Sequence, residues 1–362
     1  MYPSAANGVF MKQHFVGIIG FGGEGFWHFR KLGDCENMTL KGVYDISEKR
    51  RAFAREKGIY VYGTTEAMFC DTEIDTVIIA TPNDSHKSLA IRAMRAGKHV
   101  ICEKPATLNL EDLSEVLDVS EECGRIFSVY QNRRWDGDFL AVKKIIDENR
   151  IGDIYRIESR VHGSRGIPDD WRKSAAQGGG MLLDWGMHLF DQALLLKEGV
   201  KIAYVSAVMS FVQGHEVDDG FTANLSFEDG DEIIVEVGTC NLIPMPRWYL
   251  VAEKGTAVVR TWNVGAEIVA MPENEVESEV IPVRTAAGIS KTMAPRPPET
   301  VHKKAMSIAE SDVCEFYENF ARSADGFDKL LVSVEDIIRV TKLIDTVKKA
   351  AEMHQTIPFE EP

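Results

Sequence analysis

Three groups of residues have the types and spacing to do chemistry. Gly20-Phe21-Gly22-Gly23-Glu24-Gly25 is a G-x-G-x-x-G sequence that follows an apolar run and opens an amphipathic one. Gly20 permits a tight turn, Gly22 lets the backbone approach a pyrophosphate, and Gly25 lets a helix pack closely on a strand; the helix N-terminus adds unpaired N–H donors. Asp45 stands twenty residues after Gly25, at the end of the next apolar run, where a carboxylate binds the ribose hydroxyls of a dinucleotide. Its charge would repel a 2′-phosphate, so it favours NAD over NADP, against which Lys49, Arg50 and Arg51 stand as possible phosphate ligands. The plainer reading is a glycine-rich turn beside a solvated Asp.

The second group is Ala80-Thr81-Pro82-Asn83 and Glu103-Lys104-Pro105, each just past an apolar run and so at the carboxyl edge where open α/β sheets bind ligands. The third is the run Gly178-Gly179-Gly180 leading to Asp184 and His188. Residues four apart share one face of a helix, and a carboxylate with an imidazole suits proton removal from an alcohol. A helical Asp/His pair by itself is more often a local hydrogen bond than a catalytic pair. No H-E-x-x-H or C-x-x-C pattern points to a metal.

The elements that must carry these groups follow from hydrophobic periodicity. Short apolar runs at 16–20, 40–44, 76–80, 99–102 and 127–130 alternate with amphipathic stretches at 25–32, 48–56, 85–96 and 110–123, which predicts βαβ units and a doubly wound parallel sheet. Beyond residue 131 a helix over 138–149 and a strand over 154–162 precede the glycine run. Strands at 202–211, 220–227, 232–240, 248–252 and 256–261 then follow one another across short turns, which predicts an antiparallel sheet. Residues 271–305 read as a surface excursion, and helices over 309–322 and 334–353 close the chain. The fold class is α/β followed by α+β, with an N-terminal extension over 1–13, a dinucleotide domain over 14–130 and a substrate domain over 131–355.

The composition narrows the partners. With 41 basic against 56 acidic residues in 362, the net charge is -15, which disfavours nucleic acid and anionic membrane surfaces. No run of 18 or more apolar residues occurs, and six scattered cysteines imply a reduced, cytoplasmic protein. A sheet from about 202 to 261 with its own helices on one side leaves the other to a second subunit, so a homodimer or homotetramer is expected.

Taken together, the glycine loop, Asp45, Ala80-Thr81-Pro82-Asn83 with His86, Gly97-Lys98-His99-Val100, Glu103-Lys104-Pro105, Asp170-Trp171-Arg172 and the glycine run to His188 resemble the Gfo/Idh/MocA family of NAD(P)-dependent sugar and inositol oxidoreductases from residue 15 to about 359. The resemblance implies a Rossmann domain followed by a large, open, mostly antiparallel sheet with flanking helices. It implies that Lys104, Asp184 and His188 are catalytic and that Glu103 lies beside the nicotinamide ribose, with Thr81, Pro82, Asn83, His86 and Gln131 on the cofactor side. Gln131-Asn132-Arg133-Arg134-Trp135-Asp136 and His162-Gly163-Ser164-Arg165-Gly166 resemble the branch with scyllo-inositol dehydrogenases and glycoside 3-oxidising enzymes. Asn132, Arg133, Trp135, His162, Arg165, Trp171 and Arg172 are then substrate contacts, since amides and guanidinium groups bond hydroxyls and indole covers the C–H face of a sugar. The implied reaction is hydride transfer between NAD and a ring hydroxyl or ketone of a sugar, inositol or glycoside. A non-catalytic regulator that senses a dinucleotide or sugar is the competing reading.

Overall fold

The computed structural model describes residues 12–272, 274 and 278–362; most of the expected N-terminal extension lies outside them. The first sheet is built from β1 (His14–Ile19), β2 (Met38–Tyr44), β3 (Thr76–Ile79), β4 (His99–Cys102) and β5 (Phe127–Val129), all parallel in the order β2-β1-β3-β4-β5. Every residue of β3 and β4 is buried, as in a parallel sheet covered on both faces. The covering helices are α1 (Gly23–Leu32), α2 (Glu48–Glu56), the short α3 (Thr65–Phe69), α4 (His86–Arg95) and α5 (Leu110–Cys123). Asn109 caps α5 by accepting from the Asp112 amide at 2.8 Å, and Gly124 ends it in the left-handed region. Strand order reverses between β1 and β3, so the crevice for a ligand opens at their carboxyl ends, where Gly20 and Ala80 stand.

After α6 (Gly137–Asp147) come β6 (Ile154–His162), α7 (Met187–Leu196), β7 (Ile202–Ser210), β8 (Gly220–Phe227), β9 (Glu232–Gly238), β10 (Trp248–Ala252), β11 (Gly255–Val259) and β12 (Ala266–Ala270). The hairpin strands β13 (Val283–Thr285) and β14 (Gly288–Ser290), then β15 (His302–Met306), α8 (Cys314–Ala324), α9 (Val334–Met353) and β16 (Ile357–Pro358), complete the chain. The second sheet has nine strands in the order β15-β12-β11-β10-β6-β9-β8-β7-β16, antiparallel except for the parallel pair β6–β9. Strict alternation along β9 and β10 turns Val235, Val237, Trp248 and Leu250 into a core closed by Phe139 and Val142 of α6, Leu189 and Phe190 of α7, and Leu343 and Val347 of α9.

Two features depart from the periodicity reading. The supposed excursion over 271–305 ends in a strand, since β15 pairs with β12 from Ala266↔Met306 to Ala270↔His302. Exposed at the sheet edge, β15 is held by backbone bonds and needs no hydrophobic alternation. The chain also returns after the second sheet: Phe316, Tyr317 and Phe320 of α8, with Val332 and Ile337, belong to the core of the first sheet.

Candidate active site

A cleft of about 940 Å³ opens at the switch point between the two sheets. Gly20 has φ +90°, and a Cβ there would lie 2.3 Å from the Ala80 carbonyl oxygen; one on Gly25 would lie 1.9 Å from that of Gly20. These two are glycine because strand, loop and helix touch. Gly22 and Gly23 meet nothing within 4 Å and line the cleft, so their openness faces the ligand. The Phe21 ring packs against Phe26, Phe29 and Phe53 in the core, leaving only its backbone at the loop. That backbone N–H donates to Asp45 Oδ2 at 2.6 Å, while the Ser47 amide donates to Oδ1 at 2.7 Å. Asp45 is therefore fixed at the rim with lone pairs to spare. Arg51 turns to the Asp45 carbonyl and Glu48, whereas Arg50 lines the cleft.

Thr81, Pro82 and Asn83 line the same space from the end of β3, and Asn83 Nδ2 donates to the Gly178 carbonyl at 2.9 Å, joining the two halves. His86 does not face the cleft. Its ring is buried between the Pro105 and Thr81 carbonyls, at 2.8 and 2.9 Å, and burial holds it below its ordinary pKa. It positions the loops that carry Thr81 and Lys104. Glu103 is held by His28 Nε2 at 3.1 Å, and burial together with the Glu103 charge raises the carboxyl of neighbouring Glu24.

Lys104 precedes a cis Pro105 and donates to the Asp184 carboxylate at 2.8 Å and to its carbonyl at 2.6 Å. Arg172 reaches the second Asp184 oxygen at 3.2 Å and lies 4.6 Å from the centre of the Trp171 ring. Burial would raise the Asp184 carboxyl, but Lys104 and Arg172 hold it below the usual range. Asp184 sits in a π-helical turn, Leu182–Gly186, that feeds α7. One turn on, His188 is 5% exposed and outside the lining of this cleft, and its Nδ1 is sealed without a partner. Burial, with the charges of Lys104, Arg133 and Arg247, pushes it well below the ordinary histidine value of 6.5.

On the far side of Asp184 lies a second cavity of about 600 Å³, lined by Arg133, His162, Arg165, Trp185 and Trp262 among others. The structure thus brings Arg133, His162 and Arg165 together, but moves Trp171 and Arg172 to the cofactor cleft. Trp135 joins neither: its indole donates to Glu315 at 2.9 Å and packs on Phe316 in the first core. The His162 ring is occupied, with Nε2 on Glu236 at 3.0 Å and Nδ1 accepting from the Met245 amide at 3.2 Å. Gln131 and Asn132 border neither space, and each has a buried amide oxygen without a partner. Sequence reading missed Trp185, Trp262 and Arg247. The guanidinium groups of Arg133 and Arg247 lie 5.3 and 4.7 Å from the Trp262 ring, and Arg247 bonds Ser159 and Gln192. Only the adjacency of Arg247 and Trp248 hinted at such stacking.

Residues 15–131 match the model of the oxidoreductase family with an NAD-binding Rossmann fold, and residues 139–258 match the GFO/IDH/MocA C-terminal domain. The crystal structure of an NAD-binding protein from Listeria innocua is 42% identical, with a TM-score of 0.92 over 96% of this chain and 100% of that one. The scyllo-inositol 2-dehydrogenase (NADP(+)) of Bacillus subtilis (strain 168) is 26% identical over 95% of this chain and 96% of its own. The inositol 2-dehydrogenase of Rhizobium meliloti (strain 1021) is 34% identical over 53% and 58%. The matched part spans 61, 50 and 40% of the lengths of the first three curated oxidoreductases. The chain belongs to the Gfo/Idh/MocA family of oxidoreductases, and its first sheet forms an NAD(P)-binding Rossmann domain. The residues fit that cofactor: Gly22 and Gly23 leave room for a pyrophosphate at the start of α1, and Asp45 has free lone pairs at the rim.

Proposed function

We propose that the protein is an NAD-preferring dehydrogenase that oxidises a secondary ring hydroxyl of a sugar, inositol or glycoside, the glycoside 3-position included, or reduces the matching ketone. The observation that carries this is the Lys104–Asp184 pair at 2.8 Å, set where the cofactor cleft and the second cavity share Asp184. Nicotinamide, when bound, supplies the hydride acceptor. Lys104 donates a hydrogen bond to the reacting oxygen and stabilises its negative charge. Asp184, held ionised by two cations, orients the hydroxyl and is a poor base. His188, neutral, is the group that takes the proton, through Nε2 because Nδ1 is sealed.

Absorbance of reduced nicotinamide, with inositols, glucose, anhydrosugars and glycosides as substrates, tests this. Turnover of at least one ring supports it; NADH binding without turnover of any would support the sensing regulator instead. The preference for NAD rests on Asp45, and the reading that favours NADP rests on Arg50, which shares the cleft. The same proposal includes a cytoplasmic homo-oligomer formed through the face of the nine-stranded sheet away from α7 and α9, where Tyr204 and Val208 are 53 and 66% exposed. Among the described residues no helix is long and apolar enough to cross a membrane.

A further inference from the structure

We propose that the ring this enzyme acts on carries an anionic substituent, a carboxylate or a phosphate ester, which Arg165 and Arg133 hold in the cavity beyond Asp184; the proposal rests on the dehydrogenase reading above. The argument begins with charge. In a chain with 56 acidic and 41 basic residues, an arbitrary cavity should carry somewhat more acids than bases. This one has Arg133 and Arg165 against Asp184 alone; Asp184 is matched by Lys104 and Arg172 on its other side and Arg133 pairs with Asp136, which leaves Arg165 as the unmatched charge. The space is therefore positive, and it abuts the atoms proposed to react.

Arg165 and one nitrogen of Arg133 are also free to donate. Arg165 is exposed to the cavity and makes no ion pair or hydrogen bond among the described residues. Its loop is nevertheless pinned, since the Gly163 amide donates to the Gly238 carbonyl at 2.7 Å, the Gly166 amide to the Thr239 carbonyl at 2.9 Å, and the Asn241 amide to the Gly163 carbonyl at 2.8 Å. Arg133 uses Nη1 on Asp136 at 3.1 Å, while its Nη2 has no protein partner and is not sealed from solvent. The plane of that guanidinium is set by Trp185 and Trp262, at 5.0 and 5.3 Å, so the free nitrogen is held in place before a ligand arrives. Guanidinium groups only donate, and carboxylate and phosphate oxygens only accept; a neutral hydroxyl would use half of its own capacity here.

The test has a binding arm and a turnover arm. With saturating NADH filling the glycine loop, inorganic phosphate titrated by calorimetry should bind wild type at least roughly tenfold more tightly than Arg165→Gln, the loss of one charge-assisted hydrogen bond. Equal binding to both would overturn the proposal. In turnover, kcat/KM for glucose 6-phosphate and glucuronate against glucose, and for an inositol monophosphate against the inositol, should favour the anionic members by roughly 10–100-fold. Arg165→Gln should bring those ratios towards one, and the phosphate and carboxylate members tell which anion is preferred. Anionic rings turned over no better than neutral ones would overturn the proposal while leaving the dehydrogenase reading intact. Loss of phosphate binding in Arg165→Gln with no turnover of any ring would support the anion site and overturn the dehydrogenase reading.

Discussion

On one side of Asp184 the cleft is walled by the carboxyl ends of β1, β2 and β3, where glycine backbone and peptide groups face the ligand; on the other the cavity is walled by Arg133, Arg165, Trp185 and Trp262, side chains drawn from four separate segments. The first kind of site is fixed by strand order and tight turns. The second exists only while buried cations are balanced, as with Arg134 against Asp191 and Asp336, or Arg247 against Asp138. The two halves should therefore fail in different ways when mutated.

The largest effect is expected at the junction. His188→Ala should lower kcat by roughly 10²–10⁴-fold with NADH affinity near wild type, as measured by fluorescence titration. Because the imidazole must be neutral to accept a proton and its pKa is pushed below 6.5, kcat/KM for oxidation should rise with pH only below that value and stay level through neutrality. The variant should lose this acid limb; an unchanged limb would assign it to another group.

Next is the scaffold of the side-chain half. Asp191→Ala leaves Arg134 buried 2.6 Å from a missing partner and should cost about 3–5 kcal/mol in urea unfolding. A loss under about 1 kcal/mol would mean that Asp336 and the Leu331 carbonyl suffice for Arg134.

Backbone control is sharpened by Gly25→Ala, whose Cβ must displace the Gly20 carbonyl from 1.9 Å and should cost about 1–3 kcal/mol, read chiefly as weaker NADH binding. A smaller change is expected for Asp45→Ser: the NADH over NADPH preference should fall by on the order of tenfold. Tighter NADPH than NADH binding in wild type would show that Arg50 dominates.

The smallest is a pH effect at the start of β1. Burial lowers the pKa of His14, but hydrogen bonding and charge from Asp75, with the charge of Asp325, raise it above 6.5 on balance; the ring lies 3.2 and 3.5 Å from those carboxylates. A raised histidine contributes stability fully below its unfolded pKa and loses it as pH climbs through the folded one. The free energy of urea unfolding should thus drop slightly above pH 6.5, by about 1 kcal/mol or less, and His14→Gln should remove the drop.

The same contrast explains what could be read in the chain. The parallel sheet and glycine loop were legible because buried strands and sharp turns demand particular residues at fixed offsets, as with Gly20 at φ +90°. The edge strand β15 was not, since an exposed edge asks little of its side chains. Trp135 sits in an Arg- and Asn-rich stretch that looks like a sugar site, yet Glu315 of α8 captures its indole and the ring packs in the first core. Trp262 had no local signal at all, because its role comes from two arginines distant in sequence.

The return of α8 to the first core bears on motion. The chain crosses between the halves near residue 130, again before Cys314, and a third time inside α9, whose Ile337 packs in one core and whose Leu343 and Val347 pack in the other. One crossing alone would act as a pin about which the halves swing, but a continuous helix anchored in both cores acts as a splint. Such a splint resists swinging of the halves, so in the mechanism proposed above the motion that carries the His188 ring to a hydroxyl is expected within side chains and the wide turn around Asp184.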